Sequence, residues 1–143
     1  IEIGGYDEND TILELESSVG LTLLEPHINY TNHVFSALDA GIDIKGIAHI
    51  TGGGLVENIP RILPGGCGVE IQKGSWPKVP VFDVMQSIGN VDEDEMARAF
   101  NMGIGMVFVV DSNDVKSIKG VLKDLTEVYE IGEVVSGEGV KIG

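Results

Sequence analysis

Ala48-His49-Ile50-Thr51-Gly52-Gly53-Gly54-Leu55-Val56-Glu57-Asn58 is the run on which the reading of this chain turns. Before it, from Ile42, the pattern has a period of two. Ile44, Gly46, Ala48 and Ile50 share one face of an extended segment, and Lys45, Ile47, His49 and Thr51 the other. After it, Leu55–Leu63 reads as a short helix interrupted near Pro60. The run therefore predicts a strand, a glycine turn and a helix start. Glycines let backbone approach a ligand closely, and the first amides of a helix are unpaired donors with partial positive charge. Such a junction suits a phosphate or a developing oxyanion. Thr51 adds a hydroxyl, and His49 points toward the same crevice, where it can donate a hydrogen bond or move a proton. On these residues alone a second reading stays open, in which the glycines only tighten a connection and His49 is an ordinary sheet residue. The run is not a Walker loop, because no Lys-Ser or Lys-Thr follows, and it is not Gly-x-Gly-x-x-Gly.

One helical turn further on, Asn58-Ile59-Pro60-Arg61 brings one of only two arginines close to the glycines. Arg61 either meets an anion there or pairs with neighbouring acids on the surface. Asn58 and Glu57 either line the crevice or cap and solvate the helix. His27 and His33 lie six residues apart around Pro26–Thr31, a poor metal spacing, and form no recognisable triad with His49. The acidic run Asp92–Glu95 reads as the first turn of a helix rather than a magnesium site.

Outward from the central run, short helices are expected over Ser17–Glu25, from Asn29 or Thr31 to Ala40, over Val81–Ile88, and from the acidic run to Phe100. Asp114–Leu125 has Val115, Ile118, Val121, Leu122 and Leu125 at helical spacing. Strands are expected at Cys67–Gln72, Ile104–Val110, Val128–Val135 and Val140–Ile142, with Ser75-Trp76-Pro77 as an anchoring turn. Gly103 and Gly105 imply a special turn or a close backbone approach. The order predicts an α/β (α+β) fold, a mixed β-sheet layered with helices.

A length of 143 residues suits one domain. Nine basic against 23 acidic residues leave a net charge of −14, which offers no footprint for a nucleic-acid backbone or an anionic membrane surface. The longest apolar stretches are too short to span a bilayer. Cys67 is the only cysteine, which excludes an intrachain disulfide and a cysteine zinc site. With no basic, apolar-cored leader, the expected location is cytoplasmic. Glycine, at 20 residues, is about twice its usual share and is clustered. The chain starts at Ile1 rather than methionine, so processing or truncation is expected to have removed a preceding part.

Several runs occur together and in order: His49-Ile50-Thr51-Gly52-Gly53-Gly54 with Glu57-Asn58-Ile59-Pro60-Arg61, Gly74-Ser75-Trp76-Pro77, Phe100-Asn101-Met102-Gly103-Ile104-Gly105-Met106, and Ile131-Gly132-Glu133. With Leu23-Leu24-Glu25-Pro26 they span roughly Ser17 to Ile142 and resemble the C-terminal domain of the phosphoribosylformylglycinamidine cyclo-ligases, or aminoimidazole ribonucleotide synthetases. The resemblance implies a ligase of purine biosynthesis that uses ATP and magnesium to activate the amide oxygen of formylglycinamidine ribonucleotide. A nitrogen of the same molecule then closes the imidazole ring, releasing ADP and phosphate. By motif His49 is the catalytic histidine, and Thr51, Gly52, Gly53, Gly54, Asn58 and Arg61 line the substrate crevice. The resemblance also implies an N-terminal domain that holds ATP and magnesium and carries an asparagine working beside the histidine, and a homodimer when complete. The present 143 residues would then be a single C-terminal domain, inactive alone. One segment departs from the pattern: Pro26-His27-Ile28-Asn29-Tyr30 stands where these ligases usually read Pro-Thr-Arg-Ile-Tyr. That departure is the support for an alternative, a stand-alone binding or regulatory module of the same fold.

Overall fold

The computed structural model describes residues 3–143, so Ile1 and Glu2 of the single expected domain lie outside the described residues. Among the described residues, six α-helices and five strands follow one another. Helices α1 (Val19–Leu23) and α2 (Thr31–Asp39) precede strand β1 (Ile44–His49). Next come α3 (Gly54–Asn58), a 3-10 turn at Ile59–Ile62, and β2 (Cys67–Ile71). Helices α4 (Pro80–Gly89) and α5 (Glu93–Ala99), strand β3 (Met106–Val110) and helix α6 (Val115–Leu122) lead to β4 (Gly132–Ser136) and β5 (Gly139–Ile142).

Local chemistry accounts for most of these boundaries. The Ser18 hydroxyl accepts from the Leu21 amide and Asp92 accepts from the Asp94 amide, which caps α1 and α5 at their first turns. The acidic run is therefore a helix start, as its sequence predicts. Pro80 opens α4, where its missing amide costs nothing. Gly41, with φ of +75°, stops α2.

The strands form two sheets. β1 pairs antiparallel with β3, and β2 lies between antiparallel β4 and parallel β5. The three-stranded sheet is thus the mixed one of an α+β fold. Helices α2 and α6 cover one part of β1–β3, burying Ala37, Ile42, Ile118 and Leu122 against Ile44, Phe108 and Val110. A second cluster, Ala48, Ile50, Leu55, Ile59, Val69, Ile71 and Ile104, joins the end of β1 to α3 and β2. Full burial of such side chains contributes about 1.5–3 kcal/mol each.

Two expectations change here. Ile44 and Ala48 do not pack into the same cluster, because β1 bulges: Ile44 faces Val110 and Gly46 faces Val109, so Lys45 is extra and the alternation flips. The closing strand runs over Gly132–Ser136 rather than Val128–Val135, because the apolar residues Val128, Tyr129 and Ile131 pack against the two cores ahead of the ladder. Among the described residues no helix is long and apolar enough to cross a membrane.

Candidate functional site

His49 is the last residue of β1, exposed, and opposite Met106 in the ladder. The next amide, that of Ile50, donates to the Gly105 carbonyl at 2.9 Å, so the β1–β3 pairing carries the histidine to the very edge of the glycine turn. There Gly53 has φ of +98° and Gly54 φ of +57°, two successive left-handed residues that reverse the chain into α3. Around a Cβ placed on Gly52 nothing lies within 4 Å, so this glycine faces open space. Thr51 and Gly52 are exposed beside it.

The helix that follows is shorter than the sequence suggests. α3 has five residues before it tightens into the 3-10 turn, and the Gly54 amide is already used, donating to the Thr51 carbonyl at 3.0 Å. So short a helix adds little dipole. What polar attraction the turn offers comes from its exposed backbone and from Thr51.

Asn58 has a different task from the one its position suggests. It is 5 % exposed, and its Nδ2 lies 3.3, 3.2 and 2.8 Å from the carbonyl oxygens of Thr51, Gly52 and Gly54. Its Oδ1 accepts from Arg61 Nη1 at 3.2 Å. The side chain ties the glycine turn to the helix and does not reach outward. Asn58→Ala should therefore lower stability by about 2 kcal/mol, since it strands partly buried carbonyls; thermal unfolding would register the loss. Arg61 completes the chain by a 3.9 Å ion pair with Glu57, both half-exposed, which leaves most of the guanidinium accessible.

The structure brings together two histidines that the sequence spacing does not connect. His27, in the loop after Pro26, has its Nε2 2.7 Å from His49 Nε2, with ring centroids 5.0 Å apart. Tyr30 lies edge-on to three imidazoles, with centroid distances of 5.8 Å to His27, 5.4 Å to His33 and 6.1 Å to His49. Gly105 makes this possible: a side chain there would collide with the Tyr30 hydroxyl. Burial pushes the Tyr30 hydroxyl up from its usual pKa, which keeps it a proton donor. His33 on α2 is 7 % exposed, and neither of its ring nitrogens has a hydrogen-bond partner among the described residues. Sequence reasoning missed His27 and Tyr30 because their neighbours come from strands far along the chain. The two glycines before β3 were the available signal, since they announced a close approach without naming what approaches.

The motif Phe100–Met106 plays a supporting part. Asn101 Oδ1 accepts from the Gly103 amide at 3.0 Å, and Trp76 Nε1 donates to the Met102 carbonyl at 2.9 Å. Trp76 thus anchors the loop that delivers Gly105 beneath Tyr30. A cleft of about 900 Å³ runs along β3 and residues 126–134, with Tyr30 and His33 in its wall. His49 and the glycine turn do not line it, and His49, Thr51 and Gly52 are exposed. Among the described residues no three His, Cys, Asp or Glu side chains converge as metal ligands.

The fold and sequence can be compared with known proteins. Residues 2–143 match the family model described as AIR synthase related protein, C-terminal domain. Phosphoribosylformylglycinamidine cyclo-ligase of Acetivibrio thermocellus is 46 % identical over 135 residues, covering 93 % of this chain and 39 % of that protein. The protein of the same name from Geobacillus thermodenitrificans is 48 % identical over 133 residues, covering 92 % and 38 %. The chain thus spans about two fifths of the length of these curated relatives. Among solved structures, the HypE–HypF complex contains a chain with TM-score 0.65 and 19 % identity, covering 98 % of this chain and 51 % of that one. Escherichia coli HypE, a hydrogenase maturation protein, gives TM-score 0.61 and 24 % identity, over 79 % of this chain and 36 % of its own. These two establish likeness of fold. With its family model matched from residue 2 to residue 143, the chain belongs to the family described as AIR synthase related protein, C-terminal domain.

Proposed function

We propose that this chain is the C-terminal part of an ATP-dependent ligase that closes the imidazole ring of formylglycinamidine ribonucleotide to give aminoimidazole ribonucleotide. The observation that carries the reading is His49, exposed at the end of β1 beside a glycine turn with open space at Gly52. Support comes from the relatives that bear this activity in their name and align over more than nine tenths of the chain.

In this reading the imidazole of His49 donates a hydrogen bond to the amide oxygen of the substrate. A donor aimed at that oxygen favours the charge that gathers on it as an internal nitrogen attacks the carbon. Thr51, Gly52, Gly53 and Gly54 line the crevice, Asn58 holds their carbonyls in place, and Arg61 lies at its edge for the ribonucleotide phosphate. His49 is exposed and does not line the cleft, and small-molecule sites are concave. The second wall therefore comes from the rest of a longer protein, an N-terminal domain.

ATP with magnesium supplies the activation of the amide oxygen. The described residues assemble no donor set for it, and the acidic surface of this chain does not suit a triphosphate. We assign its binding to the N-terminal domain. A homodimer and a cytoplasmic location complete the proposal. The test is phosphate release by the complete protein that carries this chain, supplied with ATP, magnesium and formylglycinamidine ribonucleotide. Turnover that requires the ribonucleotide supports the reading; a folded protein that hydrolyses no ATP in its presence overturns it.

A further inference from the structure

The geometry points to His27 as a positioning residue for His49, which it holds through an Nε2–Nε2 hydrogen bond so that His49 presents Nδ1–H to the ligand. This inference rests on the reading of His49 as the residue that meets the substrate.

The argument begins with proton arithmetic. A hydrogen bond between two imidazole nitrogens needs one N–H and one bare nitrogen, and a neutral imidazole carries a single proton. The two Nε2 atoms are 2.7 Å apart, so one donates and the other accepts. If His49 were the donor, its Nδ1 would be bare and could only accept. It could not then donate to an amide oxygen. If His27 is the donor, His49 accepts at Nε2 and must carry its proton on Nδ1. With both rings neutral, only the second arrangement agrees with the chemistry proposed for His49. The bond at one ring nitrogen thereby sets the state of the other.

The surroundings hold this pair in place. His27 follows Pro26, whose fixed φ limits the loop, and Tyr30 three residues on lies edge-on to both rings. Tyr30 is itself seated over Gly105, the residue just before Met106, which is the ladder partner of His49. The loop before α2 and the end of β1 are therefore braced against each other at the point where His49 turns outward. Both histidines are exposed, so this bond adds little to stability, and its effect lies in which tautomer His49 adopts and where its ring points.

The test uses the complete protein with ¹⁵N-imidazole-labelled histidine, read by long-range ¹H–¹⁵N spectra at neutral pH without substrate. His49 should show a protonated Nδ1 and a bare Nε2. In His27→Ala it should revert toward the Nε2–H form. In His27→Gln, whose amide can still donate, it should stay as in the parent. In turnover, His27→Ala should lose about tenfold in kcat with KM within about twofold, and His27→Gln should recover most of it. A parent His49 in the Nε2–H form, or a tautomer that His27→Ala leaves unchanged, overturns the inference even if the ligase is active. An altered His49 tautomer in His27→Ala, in a protein that does not turn over the ribonucleotide, supports the pairing and removes only the assigned substrate.

Discussion

Gly54→Ala should destabilise this chain by about 2–5 kcal/mol. Two costs add. Gly54 has φ of +57°, and an L-residue in the left-handed region loses roughly 1–2 kcal/mol. Its Cβ would also fall well inside contact distance of the Ala97 carbonyl oxygen and 2.7 Å from that of Phe100. Those atoms are the backbone at the end of α5, not the tip of a flexible side chain, so α3 and α5 must move apart. Overpacking of that kind costs typically about 1–3 kcal/mol. For a domain of this size the sum corresponds to a fall in Tm of about 6–20 °C, measurable by thermal unfolding followed by circular dichroism. Gly52→Ala is the matched control. With nothing within 4 Å and a φ outside the left-handed region, it should shift stability by no more than about 0.5 kcal/mol. Equal losses at the two positions would refute the steric account.

The second large effect is on turnover. His49→Ala in the complete protein should reduce kcat by about 10²–10³-fold, the range for removing a donor aimed at a developing negative charge. KM should change far less, because the interaction strengthens only as charge gathers on the amide oxygen. Stability should hardly move, since the side chain is exposed and belongs to neither core cluster. Steady-state kinetics beside a melting curve separates these claims. A variant that melts normally and turns over like its parent would remove His49 from the chemistry.

How much of this was legible beforehand follows the range of the interactions involved. Asp92 capping α5, Gly41 ending α2 and the strand–glycine–helix run at His49 all depend on neighbours within a few residues, and each is readable from the chain. The bulge at Lys45 was not, because it is a property of two strands in register, and neither shows it alone. His27 illustrates the same limit at the site itself. Twenty-two residues from His49, it reaches that ring because α2 and β1 pack through Ala37 and Ile44 into one cluster. Asn58 is an intermediate case. Its distance from the glycines was visible, but whether its amide faced a ligand or the turn's own carbonyls depended on its burial.

The strand order has a consequence for how the chain can be divided. β1 and β2 both lie before residue 72, and β3, β4 and β5 all lie after residue 105. Every ladder joins one group to the other: β1 to β3, and β2 to both β4 and β5. A single cut between α4 and α5 would leave none of the five strands with a partner on its own fragment. Each piece would be an unpaired collection of edges, exposed to aggregation, and order would return only when both met. With the chain cut at Asn90–Val91, the halves of a split reporter fused to the two pieces should therefore signal their encounter with little background from either alone.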